Sequence, residues 1–114
     1  MIEFVIVLGA VLVLIAMSRR ADRRFRRVDR LPMQWLLSGE VTWTAPRRIA
    51  LSLIPGLAAT ILTAMAVMMR LTKPRPGQEG YEIPILLIMA ALWVAIHAFH
   101  IWMIGRTLGG RGQE

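Results

Sequence analysis

Two histidines are the residues of this chain whose type and spacing first invite a chemical role. His97 and His100 lie three positions apart in an apolar run, so a helix would place them on one face. Ionisable side chains inside a membrane span are candidates for function, and imidazoles are common ligands of haem iron and of other metals. One helix cannot supply both axial ligands of a haem. A second chain would therefore have to complete a site built on this pair.

The alternative is that both histidines serve structure. They lie toward the end of the run, with Trp102 beyond them, where neutral rings can bond across a helix interface or reach the lipid headgroups. The chain has no cysteine, and no Asp or Glu occurs between residues 85 and 103. We favour this alternative and expect neither a cofactor nor a metal.

Catalysis by a nucleophile or by a general acid and base requires positioned partners. The groups available in the first half of the chain include three serines and three acids, namely Ser18, Ser38, Ser52, Asp22, Asp29 and Glu40. The serines have no base nearby in the sequence, and ion pairing with the neighbouring arginines explains the acids. No carboxylate lies in the middle of an apolar run, which argues against a proton-coupled transporter. We do not expect an enzyme.

The elements that carry these residues are predicted by hydropathy. Of the 114 residues 56% are hydrophobic and the mean hydropathy is +0.55, more than one soluble core requires. Apolar runs of helical length predict membrane spans at 2–18, 49–69 and 85–104, joined by loops at 19–48 and 70–84 and followed by a tail at 105–114. The first run is short and needs Arg19 and Arg20 to extend it by snorkelling. We therefore predict one all-α membrane domain over residues 1–114.

The orientation follows from the basic residues, because cytoplasmic loops retain them. The first loop carries nine basic residues: Arg19, Arg20, Arg23, Arg24, Arg26, Arg27, Arg30, Arg47 and Arg48. The tail adds Arg106 and Arg111, so eleven share one side, whereas the second loop carries only Arg70, Lys73 and Arg75. The count predicts an N-terminus outside and a C-terminus in the cytoplasm. A cleaved secretory signal is disfavoured, since Glu3 precedes the first apolar run and the arginines follow it. Thirteen of the fourteen basic residues are Arg, which suggests a GC-rich bacterial genome. We therefore expect a bacterial inner membrane.

The arginine-rich segment from 19 to 30 predicts an amphipathic interfacial helix. Phe25, Val28 and Leu31 form an apolar line at helical spacing, and Pro32 should end the helix near Leu31. Asp22 is placed to pair with Arg26 four residues later. The arginines would set topology or bind anionic lipid, and we expect no nucleic acid, because no aromatic residues are interleaved with them on a soluble face. The helix would lie on the membrane surface.

The segment from 31 to 48 reads as a structured loop. Pro32 and the Ser38–Gly39 pair are turn formers, Trp35 and Trp43 suit the headgroup level, and Thr44 is a candidate N-cap for the second span. The motif residues of this loop are Pro32, Gln34, Trp35, Gly39, Glu40, Trp43 and Arg47, and Pro55 follows inside the next span.

On those residues the loop resembles the SdpI-like bacterial membrane proteins. In their N-terminal domain of unknown function the loop has the form Pro-x-His-aromatic-Asn-x-x-Gly, with a Lys about eight residues later. Gln34 stands at the histidine position and Leu36 at the asparagine position. The resemblance implies a role in immunity to a secreted peptide toxin and in signalling, in proteins that usually carry more spans. It also implies an outward-facing loop, whereas the charge count places this loop in the cytoplasm, and we follow the charge count.

Small residues in the spans predict the faces that pack against other helices. These faces consist of Gly56, Thr60 and Ala64 in the second span and of Ala91, Ala95 and Ala98 in the third. Pro55 should kink its helix and free the carbonyl of Leu51. The sequence thus predicts an accessory subunit that binds other transmembrane subunits or itself. An SdpI-like immunity protein and an anionic-lipid-binding module are the alternatives.

Overall fold

The computed structural model describes residues 2–72, 77 and 80–110. Three long helices and two short strands follow one another along the chain: α1 (Ile2–Arg24), β1 (Arg30–Trp35), β2 (Val41–Pro46), α2 (Arg47–Leu71) and α3 (Glu82–Gly110). By length and composition all three helices can cross a membrane, over Ile2–Arg24, Arg47–Leu71 and Glu82–Leu108. The fold is therefore that of a membrane protein with three candidate spans, as the hydropathy predicts.

The three helices pack against one another through alanine and leucine. The buried cluster between them consists of Val7, Ala10, Leu14, Ala58, Leu62, Ala66, Leu86 and Ala90. The predicted small-residue faces take no part in this cluster, because Gly56, Thr60, Ala64, Ala91, Ala95 and Ala98 are all exposed on the single chain. Within the chain, the alanines one or two positions away from them pack instead. Whether they meet another chain stays a prediction.

The predicted interfacial helix over residues 19–30 is present only in its first half, 19–24, which continues α1. α1 continues without a break through Arg19 and Arg20 and ends at Arg24, which supplies the length that the first span needed. The chain then turns, with the Val28 amide bonded to the Phe25 carbonyl at 2.9 Å. Phe25 and Leu31 are buried, but they face the helices and the strands rather than the surface of a membrane. The predicted apolar line is therefore buried or partly buried, but its residues lie in a turn and in β1 rather than on a helix.

Residues 30 to 46 form an antiparallel hairpin, so the all-α prediction is wrong in this loop. The register pairs Leu31 with Ala45 and Trp35 with Val41, with irregularities between Pro32 and Trp35. A proline has no N–H for the ladder, and two-stranded sheets tolerate it where a strand edge is free. The β-branched and aromatic run 41–44 after a Ser-Gly turn is the signal that could have identified the hairpin.

The hairpin turn depends on Gly39. The Gly39 amide donates to the Leu36 carbonyl at 2.9 Å, and the Leu36 amide donates to the Glu40 carbonyl at 2.8 Å. Gly39 has a φ of +93°, the left-handed conformation that closes a three-residue hairpin loop with a bulge. The turn therefore has a physical need for glycine at this position.

α2 starts directly after β2. Thr44 lies in β2 and is not the N-cap, and Pro46 occupies that position with a φ of −53° and no side-chain cap. A second buried cluster joins the hairpin to the end of α1, the start of α2 and the end of α3: Ala21, Phe25, Leu31, Ala45, Ala50, Leu51, Ile104 and Leu108. The charge count also used Lys73, Arg75 and Arg111, and the predicted tail runs to residue 114. Those three residues and the tail beyond residue 110 lie outside the described residues.

Candidate functional site

Arg47 fastens the turn after α1 to the start of α2. Its Nε donates to Asp22 Oδ1 at 2.6 Å, which forms an ion pair. Its terminal nitrogen donates to the carbonyls of Arg26 at 2.7 Å and Val28 at 3.1 Å, and its backbone amide donates to the Asp29 carbonyl at 2.8 Å. A planar guanidinium with several donors suits this task, because a turn leaves carbonyls without helical partners. Asp22 thus pairs with Arg47 and not with the predicted Arg26.

Pro55 leaves one backbone carbonyl of α2 without its helical donor, and a side chain of α1 replaces that donor. A proline in a helix removes the hydrogen bond to the carbonyl four residues earlier, which here is Leu51. The Ser18 hydroxyl donates to the Leu51 carbonyl oxygen at 2.6 Å. The predicted free carbonyl therefore has a partner on another helix.

The same hydroxyl reaches α3. Ser18 Oγ lies 2.7 Å from His97 Nε2. A hydroxyl has one proton, and the carbonyl of Leu51 can only accept, so Ser18 uses its proton there and His97 Nε2 must donate to Ser18. One serine thus connects the three helices, and the geometry assigns the proton of a neutral His97 ring to Nε2.

His100 connects α3 to the hairpin. Its Nε2 lies 3.3 Å from the carbonyl oxygen of Pro32, which can only accept, so Nε2 of this ring also carries the proton. Trp35 packs edge-on against the His100 ring with 5.9 Å between ring centroids. The Trp35 Nε1–H then donates to Thr107 Oγ1 at 2.8 Å. β1 is therefore held along α3 at two levels, about two helix turns apart.

Both histidine rings keep an unused acceptor. His97 is fully buried and His100 is 7% exposed, and Nδ1 of each ring is buried with no hydrogen-bond partner among the described residues. These two nitrogens are the atoms that a metal or cofactor would use. Within residues 2–72, 77 and 80–110, no three His, Cys, Asp or Glu residues lie close enough to hold a metal ion. The absence of a metal and of a cofactor remains a prediction.

The loop residues that carry the family resemblance divide into two groups. Pro32, Trp35 and Arg47 make the long-range contacts described above, and Gly39 forms the turn. In contrast, the remaining motif residues Gln34, Glu40 and Trp43 are at least partly exposed, with Trp43 50% exposed. The structure therefore brings Pro32, Trp35 and Arg47 into one junction between the hairpin and the helices, and leaves Gly39 at the exposed turn and the second group on the hairpin surface.

The arginines of the segment from 19 to 30, the basic block, lie at the surface of that junction. Arg19, Arg20, Arg23, Arg24, Arg26, Arg27 and Arg30 are all exposed. Arg24 lies over the Phe25 ring at 4.9 Å, and Arg30 donates to the Thr44 hydroxyl and carbonyl at 3.0 and 2.9 Å. The block therefore combines hairpin contacts with free positive charge.

Sequence reasoning missed Ser18 and Thr107 as members of the junction. Ser18 could have been found, because a proline-freed carbonyl in a span calls for a hydroxyl on a neighbouring helix. Thr107 carries no such signal. Chemically, the junction can hold helices and hairpin in one arrangement. It also brings His97 to Ser18, a neighbour that the sequence spacing did not predict, while the Ser18 proton is directed to the Leu51 carbonyl. No model of a known protein family, no curated protein and no solved structure matches the chain.

Proposed function

We propose that this chain is a helical interaction protein, an accessory subunit that docks in the plane of the membrane onto a larger complex. The observation that supports it is the exposed alanine strip of α3. Ala91, Ala95 and Ala98 follow one another at helical spacing and are exposed. Their helix packs within the chain through a different face, which carries Leu86 and His97, and Ala98 borders a groove that Met17 and Ala21 of α1 also line.

The alanine strip has the chemistry of a membrane helix interface. Lipid tails are as apolar as leucine, so helices in a membrane associate through close backbone contact rather than through a hydrophobic difference. A strip of alanines permits that contact, and larger exposed side chains, Leu92 and Phe99, border it on one side. A partner helix can therefore approach α3 along this strip more closely than elsewhere on its exposed surface.

We place the protein in a bacterial inner membrane with the N-terminus outside and the hairpin and C-terminus in the cytoplasm. The support is the charge distribution: the seven arginines from 19 to 30 all lie at the end of the helices where the hairpin packs. Cytoplasmic segments retain positive charge, so this end faces the cytoplasm.

The interface proposal is tested by affinity purification in a mild detergent from the native host. We expect a stoichiometric partner, which is either another membrane protein or a second copy of this chain. Replacing Ala91 and Ala95 by Leu should remove the partner, because the added side chains hold the backbones apart. Ile96→Phe is the matched control, since it enlarges another exposed side chain of the same helix and should leave the partner bound. A wild-type chain that purifies as a monomer alone would contradict the proposal.

The second candidate is an SdpI-like immunity or signalling protein that acts on a membrane-active peptide. It is favoured by one observation: the residues on the family spacing are those that build the hairpin junction. Pro32 and Trp35 hold β1 to α3, Gly39 makes the turn and Arg47 fixes the turn after α1. The motif therefore corresponds to a structural unit rather than to scattered identities.

A protection assay separates the two candidates. Sensitive cells that express the chain are challenged with a secreted peptide toxin, and the second candidate predicts survival without a co-purifying subunit. Trp35→Ala should abolish protection because it detaches β1 from α3. Trp43→Ala serves as the control, since it removes a half-exposed tryptophan from the same hairpin. Equal survival with and without the chain would eliminate this candidate.

A further inference from the structure

A groove of about 470 Å³ runs between α1 and α2. Among the described residues its lining comes from these two helices alone, so it opens on the side of the pair that does not face α3. The part of the groove toward the middle of the spans is apolar and is lined by Val11, Ile15, Pro55, Gly56 and Ala59. A groove of this volume is within the range of sites that hold small molecules.

The groove changes from apolar to charged along the helix axes. Arg19 and Arg48 lie at the end nearer the hairpin, which is the mouth of the groove. Val11 is eight residues from Arg19 on α1, and Ala59 is eleven residues from Arg48 on α2, which corresponds to about 12 and about 16 Å at 1.5 Å per residue. The groove therefore has the dimensions and polarity of an amphiphile aligned with the spans.

The two arginines bring uncompensated positive charge to the mouth. Both are exposed, and neither guanidinium forms a hydrogen bond or ion pair with another described residue. The acid at the mouth, Asp22, is already bonded through Oδ1 to Arg47 at 2.6 Å. Guanidinium groups bind phosphate oxygens through paired hydrogen bonds. The mouth is thus complementary to a phosphate group at headgroup level.

The small residue Gly56 makes room for a chain below that mouth. A β-carbon built on Gly56 would have no heavy atom within 4 Å, so the space above its backbone is open. An acyl chain can lie there against Pro55 and Ala59, whereas a second helix would leave the two arginines without an anion. We propose that the groove binds one anionic phospholipid, with its phosphate between Arg19 and Arg48 and an acyl chain along Gly56.

The proposal is tested by native mass spectrometry of the purified chain titrated with phosphatidylglycerol or with phosphatidylcholine. We expect one retained phosphatidylglycerol per chain, and tighter binding of it than of phosphatidylcholine. The double variant Arg19→Gln/Arg48→Gln should weaken phosphatidylglycerol binding by about tenfold or more, since each arginine near an anionic lipid contributes about 1 kcal/mol. Arg23→Gln/Arg27→Gln removes the same charge from exposed positions outside the groove and should leave the bound lipid in place.

A second variant tests the acyl site without changing charge. Gly56→Leu directs a side chain into the open groove and should also displace the lipid, and glycerol phosphate, which lacks acyl chains, should not compete. Equal losses in both arginine variants would show diffuse charge attraction and overturn the proposal. Retention by Gly56→Leu, or displacement by glycerol phosphate, would overturn it too. These outcomes do not depend on the alanine strip of α3, so the lipid site and the partner surface fail or hold separately.

Discussion

The hydroxyl of Ser18 lies 2.6 Å from the carbonyl oxygen of Leu51, the oxygen that Pro55 leaves without a donor in its own helix. A buried carbonyl without a partner costs about 1–3 kcal/mol, because no water replaces the missing donor. α1 therefore compensates for an irregularity of α2. The same hydroxyl accepts from His97, which joins the third helix to this arrangement.

Removal of the Ser18 hydroxyl should destabilise the three-helix packing. Ser18→Ala leaves the Leu51 carbonyl and the His97 Nε2–H without partners, and we expect a loss of about 0.6–2 kcal/mol, the range for hydrogen bonds between membrane helices. The free energy of unfolding in bicelles, measured by steric trapping, gives this quantity.

Two variants make the Ser18 measurement specific. Ser52→Ala removes a hydroxyl that bonds only within its own helix, to Arg48, and should change stability much less. In a Pro55→Ala background the amide of residue 55 can donate to Leu51, so Ser18→Ala should cost less there than in the wild type. Equal costs in both backgrounds would show that Ser18 does not serve the freed carbonyl.

Arg47 should not be replaceable by lysine. Arg47→Lys keeps the charge but loses the planar donors that reach Asp22, Arg26 and Val28, and we expect a loss of about 1–3 kcal/mol in the free energy of unfolding. Amide hydrogen exchange should also become faster at Val28. Arg27→Lys is the control, because its exposed guanidinium has no partner among the described residues and lies outside the groove. Similar effects of the two changes would refute the role assigned to Arg47.

Gly39 should tolerate asparagine better than alanine. Its φ of +93° is unfavourable for residues with a β-carbon, and its surroundings are open, so the cost is conformational rather than steric. We expect Gly39→Ala to cost about 1 kcal/mol and Gly39→Asn less, because asparagine adopts left-handed conformations more readily. The unfolding free energies of the two variants test this order, and the reverse order would contradict it.

Trp35 and Thr107 should be energetically coupled. The indole N–H of Trp35 donates to the Thr107 hydroxyl at 2.8 Å, so Trp35→Phe and Thr107→Val each remove one partner. A double-mutant cycle on the unfolding free energy should give a coupling of about 0.5–1.5 kcal/mol. Trp43→Phe with Thr107→Val is the matched cycle and should give additive costs. A coupling near zero for the first pair would mean that the bond does not hold the hairpin to α3.

The orientation in the membrane can be measured directly because the chain has no cysteine. Single cysteines at the exposed positions Ser38 and Thr72 provide one label site in the hairpin and one after α2. A maleimide that cannot cross membranes should label Thr72→Cys in intact cells, and should label Ser38→Cys only after the cells are opened. Labelling of Ser38→Cys in intact cells would reverse the orientation and agree with the outward loop that the SdpI-like resemblance implies.

The spans and the hairpin differ in how far sequence reasoning could predict them. Hydropathy is a sum over neighbouring residues, so three helices of spanning length follow from local composition. The hairpin depends on pairing between residues 30–35 and 41–46, and Pro32 within the first strand obscured the strand pattern. The end of α1 at Arg24 was equally hidden, since it depends on carbonyl contacts made by Arg47, about twenty residues later.

The histidines show the same division. Their common face follows from a spacing of three residues, and Pro55 alone determines that the Leu51 carbonyl loses its helical donor. The partners lie far along the chain: Ser18 is 79 residues from His97, and Pro32 is 68 residues from His100. Sequence alone therefore determined the spans, the positions of the polar groups and the need for a donor to Leu51. Only the tertiary structure decided that Ser18, Arg47 and the hairpin meet those needs, because hydrogen bonds form over about 3 Å between segments that only folding brings together.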